Sequence, residues 1–87
     1  MSNDMNAFVR VVEKGSFAAA AQDLGLTPSA VSKIVTRIEQ RLGVQLLTRT
    51  TRRLALTAEG ETYFQRCQEI LEAIEAAEAE VPKEPRA

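Results

Sequence analysis

The residues of this chain equipped to recognise a partner are basic and hydroxylated, and they cluster. Between positions 28 and 53 stand six bases (Lys33, Arg37, Arg41, Arg49, Arg52 and Arg53) and a single acid, Glu39. Such a segment attracts a polyanion, although a solvated cationic face is the plainer reading of the same charges. The formal net charge of -1 conceals this division. Residues 1 to 57 hold eight bases and four acids, whereas residues 58 to 87 hold three bases and eight acids. A polyanion is drawn to the first region and repelled by the second.

Other chemistries are excluded by what is missing. Histidine is absent and Cys67 is the single cysteine, which removes Ser-His-Asp and Cys-His catalysis, zinc fingers and a disulfide within the chain. The composition therefore argues against an enzyme, and no cofactor or metal is expected. No apolar run approaches the ~20 residues that span a bilayer. Met1, Ser2, Asn3 and Asp4 form neither a basic segment nor an apolar signal core, so the expected location is the cytoplasm. With 87 residues, 45% of them apolar, the chain suffices for one small domain with an appendage.

The elements that must position the basic residues follow from apolar periodicity. Met5, Phe8, Val9 and Val12 share one face of a first helix, which Gly15 ends. Ser16 caps a short second helix whose stripe is Phe17, Ala20, Ala21 and Leu24, with Gly25 as its stop. Thr27 is an N-cap and Pro28 an N1 residue for a third helix, in which Val31, Ile34, Val35, Ile38 and Leu42 repeat before Gly43. The threonine-rich stretch from Val44 to Thr57 reads as a small β-hairpin. Thr57 caps a long last helix, whose residues Tyr63, Cys67, Ile70, Ile74, Ala77 and Val81 form a heptad seam with Phe64 and Leu71 beside it. Pro82 and Pro85 end that helix. The fold class is mainly α, a winged helix-turn-helix of three helices and a two-stranded wing over residues 1–57. A linker and dimerisation helix covers 58–81, and a disordered tail covers 82–87.

Within that frame the second and third helices have helix-turn-helix spacing. Ala21 sits where they cross, Gly25 at the turn, and Val31 and Ile34 complete the packing. With the apolar row turned inward, the third helix presents Pro28, Ser29, Ser32, Lys33, Thr36 and Arg37 outward, small and polar at its start, as a helix entering a major groove requires. An ordinary solvated surface is the competing reading. In the hairpin, Arg49, Arg52 and Arg53 have no acid beside them in the sequence, and arginines so placed suit a narrow minor groove. Arg49 serves equally well as a packing residue that braces the wing. Ser16 is a cap that is also placed to donate to a phosphate.

These residues resemble the amino-terminal DNA-binding domain of a LysR-type transcriptional regulator. The likeness covers residues 4 to about 80 and rests on Gly15-Ser16-Phe17 with Ala20-Ala21, Leu24-Gly25-Leu26, Ser29-Ala30-Val31-Ser32-Lys33, Ile38-Glu39 and Leu42-Gly43-Val44. It continues through Leu46-Leu47-Thr48-Arg49-Thr50-Thr51-Arg52-Arg53 and Leu56-Thr57-Ala58-Glu59-Gly60. The resemblance implies a third helix in the major groove (Pro28, Ser29, Ser32, Lys33), a wing whose Arg52 reaches the minor groove, and a linker helix that pairs with its twin. Two positions depart from the commonest pattern. Pro28 stands where many members carry glutamine, which bears on the sequence preferred, and Leu47 where many carry phenylalanine, which bears on packing. Family members also continue into a large effector-sensing domain. No small-molecule effector site is expected within these residues.

Double-stranded DNA and a second copy of the chain are thus the expected partners, with no membrane. From Ala58 to Val81 the helix is roughly 36 Å long at 1.5 Å per residue, close to the ~34 Å between half-sites one turn apart. Two seams paired antiparallel, through Tyr63, Cys67, Ile70, Leu71, Ile74 and Ala77, would cover each other and set two recognition helices on an interrupted inverted repeat. The competing function is a winged-helix module that binds another protein through its acidic last helix and does not read DNA.

Overall fold

Three hydroxyls start three helices. Ser16, Thr27 and Thr57 each adopt extended backbone, and each side-chain oxygen accepts a hydrogen bond from the amide three residues on: Ala19 at 3.0 Å, Ala30 at 3.1 Å and Gly60 at 2.9 Å. The computed structural model describes residues 2–49 and 54–83. Along them run α1 (Ser2–Lys14), α2 (Phe17–Leu24), α3 (Pro28–Leu42), β1 (Leu47–Arg49), β2 (Leu54–Leu56) and α4 (Ala58–Glu80). Helix α2 stops at Gly25, whose φ of 70° any side chain would resist, and the amides of Gly25 and Leu26 both return to the carbonyl of Ala21. The chain thereby turns tightly into α3.

The core gathers one face of every element. Phe8 and Val11 of α1, Ala20 and Ala21 of α2, and Val31, Val35 and Ile38 of α3 are buried, together with Leu46, Leu47 and Cys67. Phe8 meets Tyr63 at 5.4 Å between ring centroids and Phe64 edge-on at 6.4 Å, while Asn3 and Asn6 lie beside Leu71 and Ile74. Helix α4 thus runs back along α1. The two strands pair antiparallel with Leu47 opposite Leu56 and Arg49 opposite Leu54, and the Thr48 hydroxyl donates to the Ala55 carbonyl at 3.0 Å. The hairpin tip, including Arg52 and Arg53, and residues 84–87 of the expected tail lie outside the described residues.

Two expectations need correction. Leu42, counted with the apolar row of α3, is exposed. The amides of Gly43 and Val44 fold back onto the Glu39 carbonyl, the chain leaves the helix there, and Leu46 takes the core position instead. The seam of α4 is also not uniformly uncovered. Cys67 is 0% exposed, sealed inside its own chain, and Tyr63 and Leu71 are half-buried against the same core. Cys67 therefore has no surface to offer a second copy. Ile70 at 41% exposure, Ile74 at 36%, and Ala77 and Val81 beyond them remain open. Heptad spacing fixes which side chains share a stripe, but α1 decides how much of that stripe is already covered.

Candidate nucleic-acid interface

The outward side of α3 is built by exclusion. Once Val31, Val35 and Ile38 are fully buried, the helical period leaves Pro28, Ser29, Lys33 and Arg37 exposed and Ser32 and Thr36 half-buried. Among the described residues the first four stand open to solvent, Arg37 apart from its contact with Asp4. Pro28 and Ser29 form the exposed first turn; Pro28 has no amide proton and Thr27 caps the Ala30 amide, which leaves the Ser29 amide and the helix dipole to favour an anion. Lys33 stands one turn further on and has no salt bridge among the described residues. Arg37 is tied down, its Nη2 lying 3.2 Å from Oδ1 and 3.4 Å from Oδ2 of Asp4 on α1. That pair is 63% exposed on the arginine side and constrains Arg37 weakly.

Arg49 is held far more firmly. Its Nη2 lies 3.2 Å from Oε1 of Glu39, its Nη1 donates to the Thr36 hydroxyl at 3.2 Å, and its guanidinium carbon is 5.4 Å from the centre of the Phe17 ring. The absence of an acid near Arg49 in the sequence is thus corrected by the fold, because Glu39 approaches from α3. Arg49 turns toward the body of the domain, as its packing reading requires. Ser16 is engaged as the cap of α2.

Sequence reasoning missed Glu39. It is buried, and its Oε2 accepts from the amides of Leu46 at 2.8 Å and Leu47 at 3.2 Å. The signal was present: Glu39 continues the spacing of Val31 and Val35 at i, i+4, i+8, and a carboxylate in line with buried valines needs partners. Its oxygens meet an arginine and two amides, which meets that need.

The linker side has its own chemistry. Removal from water is the main cause that raises the ionisation of the Cys67 thiol above its ordinary value, and it does the same, aided by Cys67, for the Tyr63 hydroxyl. The Tyr63 oxygen is buried without a hydrogen-bond partner among the described residues. These residues provide packing rather than reactivity. Among the described residues no helix is long and apolar enough to cross a membrane, and no group of three or more His, Cys, Asp or Glu side chains is gathered to hold a metal.

Comparison with known proteins gives the same architecture. Residues 2–61 match the family described as bacterial regulatory helix-turn-helix proteins of the lysR family. The transcriptional regulator CrgA of Neisseria meningitidis is 55% identical over 80 residues, covering 92% of this chain and 27% of that protein. The probable regulator LtrA of Klebsiella pneumoniae is 50% identical over 74 residues, 85% of this chain and 24% of that protein. The chain thus spans about a quarter of the length of these curated relatives. Among solved structures, the CbnR DNA-binding domain in complex with DNA superposes with a TM-score of 0.85 at 30% identity, covering 91% of each chain. The BenM DNA-binding domain on benA site 1 DNA gives 0.87 at 30% identity, covering 91% of this chain and 89% of that one. The four-helix order, the wing and the sequence agreement have one reading: the chain belongs to the LysR family of bacterial regulatory helix-turn-helix proteins.

Proposed function

We propose that these residues bind double-stranded DNA in a sequence-specific manner, as the DNA-binding portion of a transcriptional regulator, and catalyse no reaction. The observation that carries the reading is the exposed polar side of α3. Pro28, Ser29, Ser32 and Lys33 face away from the core at the exposed start of a helix, within the segment where bases outnumber acids. This side lies in the major groove, with Thr36 and Arg37 toward its far end. Arg52 and Arg53 of the wing reach the adjacent minor groove. A cytoplasmic location fits this partner.

Two copies act together. The apolar residues left open on α4, Ile70, Ile74 and Ala77, with the half-buried edges of Tyr63 and Leu71, pair with those of a second chain and fix the spacing of two recognition helices. The target is then an interrupted inverted repeat. Selection of bound duplexes from a random library tests this directly. Enrichment of two inverted half-sites about one helical turn apart is expected, and a library that remains unenriched after repeated rounds overturns the reading.

A further inference from the structure

Glu39 is the one acid among the six bases between positions 28 and 53, and it is spent on three contacts. Two are backbone amides, of Leu46 at 2.8 Å and Leu47 at 3.2 Å, which belong to the chain entering β1. The third is the Arg49 guanidinium at 3.2 Å, on the last residue of that strand. One carboxylate on α3 therefore grips both ends of the first strand of the wing. Glu39 is 10% exposed at its side chain and Arg49 34%, so water screens the pair less than it screens Arg37 and Asp4. Thr36 and Phe17 hold the remainder of the guanidinium.

We propose that Glu39 is a positioning residue of the DNA interface: its carboxylate sets the wing against α3 and withholds Arg49 from phosphate, so that Arg49 braces the wing instead of contacting DNA. The inference rests on the DNA-binding reading above. An unpaired arginine between a recognition helix and a wing would meet the phosphate backbone of any sequence and add affinity without discrimination. Neutralised by Glu39, Arg49 releases no counterion from the duplex. The pair thus fixes the geometry between two reading elements while keeping one cation out of the sequence-independent contribution to binding.

The test is the salt dependence of binding to a short duplex of mixed sequence, followed by fluorescence anisotropy. In Glu39→Gln the amide oxygen still accepts from Leu46 and Leu47, but its NH2 confronts the guanidinium donor to donor and Arg49 is released. Binding to the mixed duplex should tighten, and the slope of log Kobs against log salt should steepen by about 0.9 per subunit. Arg49→Met should keep the wild-type slope, and in the double variant it should return the Glu39→Gln slope to the wild-type value. An Arg49→Met slope shallower by about 0.9 per subunit makes Arg49 a phosphate contact and overturns the proposal, as does a wild-type slope in folded Glu39→Gln. If Glu39→Gln does not fold, Arg49→Met alone decides by the same criterion. A purely structural role would lower the melting temperature of both variants without separating their slopes. A wild-type chain that fails to bind the duplex even at low salt sinks the DNA-binding reading itself, and this inference with it.

Discussion

Gly60 backs directly onto the carbonyl of Leu46, so closely that a β-carbon at position 60 would strike the Leu46 oxygen and press on the Leu56 side chain. The obstacle is backbone, which cannot rotate away. Around it the Thr57 hydroxyl donates to the Gln45 carbonyl while accepting from the Gly60 amide, and the Thr57 amide donates to Leu46. The first turn of α4 is therefore sewn to the chain that links α3 to the wing. Gly60→Ala should destabilise the domain by about 1–3 kcal/mol, the usual cost of overpacking, despite the better helix propensity of alanine. Thermal unfolding followed by circular dichroism reads the loss; a higher melting temperature would mean that α4 can move off Leu46 freely.

Alkaline pH should loosen the junction of α1 and α4. The Cys67 thiol and the Tyr63 hydroxyl are neutral when protonated, and burial raises both above their ordinary values of 9.0 and 10.0. The folded chain thus keeps these protons to a higher pH than the unfolded chain does. Their contribution to stability is complete below the ordinary values and disappears as pH climbs through the raised folded ones. The melting temperature should fall with rising pH above 9.0, and Cys67→Ala with Tyr63→Phe should flatten that fall. An equally steep decline in the double variant would assign the effect to other groups.

Tyr63→Phe alone carries a separate expectation near neutral pH. The hydroxyl is buried with no hydrogen bond of good geometry among the described residues; the Cys67 thiol and the Arg41 side chain act on it without such geometry, so its loss of water is poorly offset, a cost that an isosteric ring avoids. The variant should gain about 1 kcal/mol in urea unfolding. A loss of stability would show that the oxygen makes a favourable contact in solution.

Much of this architecture was legible from local chemistry, because caps and stops act within a few residues. Thr27 with Pro28 and Gly43 bracket α3, and Ser16 with Gly25 bracket α2, as their residue types imply. What escaped depends on partners distant in sequence. Cys67 fits a heptad, yet only the arrival of α1 decides that it faces Phe8's core rather than a twin helix. Arg49 looks free of acids until α3 brings Glu39 to it across ten residues of chain. Leu42 belongs to the apolar row by spacing, but the helix ends where the core ends, and Leu42 is left 40% exposed.

The dimer reading makes a sharp demand on Ile70 and Ile74. Both are exposed and lie on the face of α4 that its own domain leaves open, so glutamate at both positions should spare the fold and break the pair. Sedimentation should change from dimer to monomer, with the melting temperature of the isolated domain little altered. Operator binding should weaken as well, since each half-site is then bound alone. A dimer that survives both glutamates would place the subunit contact elsewhere.

Ser32 and Lys33 occupy adjacent positions on α3 but should fail differently when altered. Lys33 is exposed and carries its charge at the end of a flexible stem, suited to phosphate or to the guanine acceptors. Ser32 is half-buried and short, so its hydroxyl meets only a base edge or backbone that comes very close. Lys33→Ala should weaken binding to all duplexes and reduce the salt slope by about 0.9 per subunit if it rests on phosphate. Ser32→Ala should leave the slope intact and relax the preference at one base pair in each half-site, by about 1–3 kcal/mol. Comparing selected sequences for the two variants distinguishes these cases. If Ser32→Ala returned the wild-type sequence preference in full, the first turns of α3 would be anchoring the domain on the backbone, and sequence reading would have to come from the wing.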